Sequence, residues 1–143
     1  MSYLVVFVGA GIGGAARHGM NIWVARLLGS HFPWYTLVIN ILGSILMGLI
    51  TGWFAERIGA AGHLRLFLAT GVMGGFTTFS AFSLDAVLLW ERHEYLMAAL
   101  YVGGSVAGAI AGLAAALWIM GKALALASRR VSTSSSWAAA PRG

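Results

Sequence analysis

No cysteine occurs among the 143 residues. Disulfides, thiolate metal sites and a cysteine nucleophile are therefore excluded. Charge is nearly as scarce. Asp, Glu, Lys and Arg make up 9% of the chain, against about a quarter in a soluble domain. So few charges cannot cover a water-facing surface. What is there instead is apolar: 59% of residues are hydrophobic and the mean hydropathy is +0.84. This is the composition of an integral membrane protein, and at this length of one bundle rather than several domains. The formal charge of +5 comes from basic residues scattered over connectors and the C-terminal tail. Lipid headgroups, and not nucleic acid, are the partner that pattern predicts.

A bilayer core takes about 20 apolar residues per helix. Four runs qualify, over 3–28, 34–54, 64–90 and 95–120. The first starts at Tyr3 without a basic flank and is too long for a signal h-region, so it is expected to stay as a span. The connectors "GSHFP", "ERIGAAGH" and "ERHE" hold most of the charge. Trp23, Trp34, Tyr35, Trp53, Trp90, Tyr95 and Trp118 fall near span ends, where interfacial anchors belong. The expected organisation is an all-α, four-helix transmembrane domain over 1–122 and a disordered Ser-, Ala- and Arg-rich tail over 123–143.

Even-numbered spans put both termini on one side of the membrane. That side carries Arg57, Arg65, Lys122, Arg129 and Arg130; the other carries Arg26 and Arg92. The positive-inside rule predicts cytoplasmic termini. Without Arg129 and Arg130 the two sides are nearly balanced.

Small residues recur at helical spacing: Gly9 and Gly13, Gly71 and Gly75, then Gly104, Gly108 and Gly112. Lipid offers no hydrophobic drive between helices, so such rows predict close helix packing. "GAGIGG" (9–14) matches a dinucleotide fingerprint by letter. It lacks the strand, the βαβ unit and the later acid that would give the match meaning. His18, His31, His63 and His93 lie near span ends without a partnered nucleophile, so no catalytic set is expected.

Polar groups inside spans are expensive and usually have a partner or a task. Arg17 either snorkels or pairs with Asp85, or it draws anions to a water-filled vestibule. Thr36, Asn40 and Ser44 share one face of the second span, and Tyr101 and Ser105 share one of the fourth. The third span contains "GGFTTFSAFS" (74–83), whose glycines and threonines are poor helix material. A break there frees backbone groups that hydrocarbon does not tolerate unless they line a cavity or hold an ion. Helix resuming after Thr78 would put Phe79 and Phe82 on one face beside Ser83. Ring edges suit an anion and ring faces a cation, so spacing leaves the sign open.

"GGFTTFSAFS", with "TLVINILGSILMG" (36–48), "GAGIGGAARH" (9–18) and "YVGGSVAG" (101–108), resembles the CrcB/Fluc fluoride channel family across all four spans. The resemblance implies a dual-topology homodimer of antiparallel subunits, with two fluoride pores lined by both copies. Some members of that family pair as oppositely oriented partners, so it also allows a heterodimer with a paralogue. It implies a structural, non-transported sodium ion at the break, held by backbone carbonyls of Gly74 and Thr77. It places the fluoride path on Phe79, Phe82, Ser83, Asn40, Tyr101 and Ser105, with Arg17 as the first-span arginine. Two departures stand out: Asp85 replaces the family's usual Glu, and Ala109 lacks the hydroxyl that several members carry.

Fluoride is strongly hydrated, so a pore must replace its water with well-aimed donors that bind firmly yet release. The expectation is passive, selective fluoride exit across the cell inner membrane. One rival is a proton-coupled exporter of the small multidrug-resistance type, which needs an embedded carboxylate and has only Asp85 to use. Another is a non-transporting scaffold subunit held by its glycine faces.

Overall fold

The computed structural model describes residues 1–55 and 62–138, and the side chains among them as far as 126. All regular structure among the described residues is helical. In chain order there are α1 (Ser2–Leu28), α2 (Trp34–Ala55), α3 (Gly62–Arg65), a π-helical segment (Leu66–Met73), α4 (Gly74–Phe76), α5 (Phe79–Glu91) and α6 (Tyr95–Ala138).

The helix ends have local causes. Gly29 follows α1 with φ +78° and returns its amide to the Ala25 carbonyl at 3.0 Å. A left-handed residue after a helix is cheap only for glycine. The Pro33 carbonyl accepts the first bond of α2, from the Leu37 amide. α5 closes through His93, the one described non-glycine residue with positive φ (60°). There the Glu94 amide reaches the Leu89 carbonyl at 3.1 Å and the His93 amide reaches Trp90 at 2.9 Å. That reciprocal pair turns the chain directly into α6.

Three stretches are long and apolar enough to cross a membrane: Trp34–Ala55, Gly62–Glu91 and Tyr95–Leu126. α1 has 27 residues but is diluted by Arg17, His18, Asn21 and Arg26, and it is not among them. α6 runs past the expected span end near residue 120, through "KALALAS", whose alanines and leucines are strong helix formers. Its backbone thus stays helical through most of the segment assigned above to the tail. Residues 139–143, like Arg57 of the charge-bias estimate, lie outside the described residues.

α2 packs along α6, and α1 packs along the π-helical segment and α4. The glycine rows explain the second contact. A Cβ on Gly9 would sit 2.7 Å from the Phe67 carbonyl oxygen, and one on Gly71 2.9 Å from the Gly9 Cα. On the other side, Gly108 and Gly112 admit Ile41 and Ile45 of α2, whereas Gly104 meets nothing. The buried core is small: Ile39, Met73 and Phe76 form one cluster, and Leu89, Ala98 and Tyr101 another. Phe7, Leu96, Ile110 and many other large apolar side chains are exposed, as expected where lipid is the solvent.

The third span is broken where its sequence predicts, and within the Gly74–Thr78 stretch the break falls on the threonines alone. Gly74 is helical, with φ −62° and ψ −37°. Thr77 (φ −80°, ψ 159°) and Thr78 (φ −153°, ψ 118°) are the extended residues. Gly75 is used differently, because a Cβ there would lie 2.9 Å from the Ala10 Cα. The glycine buys close packing against α1, while two β-branched threonines take the extended backbone they favour.

Candidate functional site at the helix break

The break is held from three directions. The Thr77 amide and hydroxyl both donate to the Met73 carbonyl, each at 3.0 Å, and so finish α4. The Thr78 hydroxyl accepts from the Ala81 amide at 3.2 Å and caps α5. Such a cap stabilises a helix by about 1 kcal/mol. Between them, Asn40 of α2 binds the backbone of Thr78 twice. Its amide nitrogen donates to the Thr78 carbonyl at 3.0 Å, and its oxygen accepts from the Thr78 amide at 2.9 Å. From α1, the Arg17 guanidinium donates to the Thr77 carbonyl at 3.3 Å. The pairing of Arg17 with Asp85 that the sequence allowed is not made among the described residues.

These bonds leave carbonyls free. In an unbroken α-helix the Thr78 amide would close on the Gly74 carbonyl. Here that amide is spent on Asn40, and Gly74 is exposed. The Thr77 carbonyl keeps a second lone pair beside Arg17. Backbone carbonyl oxygens are the donor type a hard cation takes, so the residues present fit a sodium ion.

Two cavities flank Thr78. A groove of about 300 Å³ runs between α2, α5 and α6, lined by Asn40, Ser44, Thr77, Phe79, Phe82 and Ser105. Ala109 and Leu113 continue its wall past Ser105, so the missing hydroxyl rung is an apolar patch. The Phe79 and Phe82 rings sit 5.5 Å apart, and Phe82 lies 5.3 Å from the Tyr101 ring. Phe79 is 79% exposed, so its ring projects out of the chain's own helices. Ser105 is buried, and its Oγ has no hydrogen-bond partner. A buried hydroxyl without a partner costs about 1–3 kcal/mol. The second cavity, about 400 Å³, is more polar; Arg17, His18, Asn21, Tyr35, Thr36 and Ser80 contribute to its wall.

Sequence reasoning missed a third group as a unit. Asp85 accepts from the Thr36 hydroxyl at 2.6 Å and from the Tyr101 hydroxyl at 3.1 Å, both on Oδ2. Thr36 and Tyr101 are buried, and the ties join α2, α5 and α6. Each charge-assisted bond of this kind contributes about 1.5–3 kcal/mol. The signal was present: the one acid inside any span needs partners, and both hydroxyls stood on polar helix faces.

Each expected residue can now be placed. Asn40, Phe79, Phe82 and Ser105 meet in one groove. Arg17 sits at the break and borders the polar cavity. Tyr101 approaches the groove through its ring, while its hydroxyl serves Asp85. Ser83 does not border either cavity, and its hydroxyl donates to the Phe79 carbonyl one turn back at 2.9 Å. Gly74 and Thr77 lie at the break with the carbonyls described above.

A helical membrane protein with an interrupted span, a carbonyl freed at the break and an aromatic, hydroxyl-lined groove has the parts of an ion pathway. The model of the CrcB-like protein, Camphor Resistance (CrcB) family matches residues 4–118. The chain belongs to this family. A protein of Methylobacterium nodulans is 61% identical over 120 residues, covering 84% of this chain and 96% of its own length. One from Rhodopseudomonas palustris (strain BisB5) is 58% identical over 117 residues, covering 82% of this chain and 94% of its own. A third, from Granulibacter bethesdensis, is 52% identical over 120 residues, with 84% and 94% covered. All three are named fluoride-specific ion channel FluC.

Proposed function

We propose that this chain is a fluoride-selective channel that lets fluoride leave the cytoplasm passively across the inner membrane and so limits fluoride toxicity. It is a channel and not an enzyme, in line with the name its relatives carry. The observation that carries the reading is the groove beside the break. There Ser105, whose buried hydroxyl has no protein partner among the described residues, lines the same space as Asn40, Ser44 and Phe82. A donor left unpaired in an apolar wall is poised for a ligand that accepts one short hydrogen bond. Fluoride is that ligand. Ring edges of Phe79 and Phe82, weakly positive, supply neighbouring contacts. Among the described residues no full positive charge borders the groove itself, and such a charge would hold the ion too long for conduction.

The working unit is an antiparallel dimer of four-span subunits, with α1 as the first span. Three features support this. The groove is open on one side, the Phe79 ring projects outward, and a Cβ on Gly103 or Gly104 would meet nothing within 4 Å among the described residues. A second copy would close the groove and meet the glycine face. Carbonyls of Gly74 and Thr77 from both copies would hold one structural sodium ion at the centre. When bound, sodium supplies a fixed positive potential near the path without being transported.

Fluoride efflux from liposomes holding the purified protein, read by electrode with chloride as control, tests this. Fluoride release with no chloride release is expected. Empty-liposome rates for both ions would leave the scaffold reading in its place.

A further inference from the structure

Asn40 makes both of its described hydrogen bonds to one backbone residue of the break. We propose that Asn40 is a positioning residue that keeps the third span open and thereby offers the Gly74 carbonyl to the cation. The inference rests on the sodium seat proposed above.

A side-chain amide can donate and accept in one plane at any pH, as a neighbouring strand does. Asn40 does so towards Thr78, at 3.0 Å and 2.9 Å. The extended geometry of Thr78 (φ −153°, ψ 118°) is what such a partner requires. α2 is brought close enough by Gly43, where a Cβ would run into the Thr77 methyl and lie 3.3 Å from the Phe76 ring. Ile39, fully buried beside Met73 and Phe76, fixes the rotation of α2 that aims Asn40 at the break.

Remove the Asn40 amide, and the Thr78 N–H is free to return to the Gly74 carbonyl as in a continuous helix. The cation then loses a ligand without any change in the groove itself. Arg17 donates to the Thr77 carbonyl from the other side, and its described hydrogen bond does not involve Thr78. Asn40 still has one N–H and one lone pair unspent, so a contact with the anion remains open to it.

The test reads cation binding rather than flux. Sodium chloride is titrated against N-methyl-D-glucamine chloride at constant ionic strength, and the thermal midpoint of the detergent-purified protein is followed. For the wild type the midpoint should rise with sodium and saturate, as for any ligand of the folded state. In Asn40→Ala, and in Asn40→Leu, which fills the volume, half-saturation should need about tenfold more sodium or more, the size of one lost buried hydrogen bond. Asn40→Asp keeps an acceptor for the Thr78 amide and should stay within about threefold of the wild type. Should Asn40→Ala fail to fold, the Asp and Leu variants decide. Wild-type sodium half-saturation in Asn40→Leu overturns the positioning role and leaves the seat intact. An Asp variant that behaves as the Leu variant also overturns it. A wild type that ignores sodium removes the seat and this inference together.

Discussion

On the side that meets α1, the π-helical segment and α4 press backbone against backbone. On the side that meets α2 and α6, Thr77, Thr78, Phe79 and Phe82 of the residues that directly follow border an open groove. The first contact is made by glycines: Gly9, Gly71 and Gly75 leave no room for a Cβ. The second is made by Asn40, Ser44, Phe82 and Ser105, which leave space between them. A membrane protein gets no hydrophobic drive for helix pairing, so close backbone contact has to hold the broken span in place. With one face held that tightly, the other can stay hollow. The glycines in the opening motif therefore anchor the break, and the threonines form it.

The largest effect should come from spoiling the tight face. Gly13→Val would push side-chain atoms into the Val72 carbonyl and within 2.8 Å of the Phe76 amide nitrogen, neither of which is a flexible side-chain end. Overpacking of this kind costs about 3 kcal/mol or more. Size-exclusion chromatography should show loss of the folded species, while Gly14→Ala, which meets nothing within 4 Å, should elute as wild type. A stable, monodisperse Gly13→Val protein would break the comparison.

Next comes the tie between α2, α5 and α6. Asp85→Ala leaves the buried Thr36 and Tyr101 hydroxyls without their acceptor. A destabilisation of about 1–3 kcal/mol is expected, read as a lower thermal midpoint. Thr36→Val in the Asp85→Ala background should then cost little, because the pair already lacks its shared partner.

In the groove the effects should move from stability to flux. Phe82→Ile should lower fluoride efflux about tenfold, equivalent to about 1.4 kcal/mol on the barrier, with the fold preserved. Undiminished efflux would take that ring out of the path. Ser105→Ala is the mildest and the sharpest. Its Oγ has no protein partner to lose, so stability should hold or rise, by up to about 1–3 kcal/mol. Efflux should still fall, by a few-fold. A marked loss of stability instead would mean that the hydroxyl serves the fold.

Much of this plan could be read from the chain. The ends of α2 and of the interrupted span lie close to where apolar runs and aromatic residues put them. Thr77, Thr78, Phe79 and Phe82 fall where the motif predicts a break followed by a ring pair. Periodicity reports which residues share a face, but not what they bond. Asn40 was expected to look toward the ion, yet its partners are a backbone amide and carbonyl, which carry no letter of their own. The same holds for Arg17 on the Thr77 carbonyl. The Thr36–Asp85–Tyr101 set spans three helices, so no spacing rule links its members. The break was expected over the glycines and threonines together; the structure confines it to Thr77 and Thr78, since poor helix propensity and close packing both select glycine.

The eight-residue π-helical stretch, Leu66–Met73, sits directly before α4. Wide turns of this kind absorb surplus chain, so they set the angular phase of everything that follows them. One residue corresponds to about 100° of rotation in an ordinary α-helix. A single deletion within 66–73 that let the coil tighten would therefore swing Gly75 away from Ala10 and turn the phenylalanine pair to a different bearing. Length changes in this stretch should be far harder to tolerate than substitutions that keep its count.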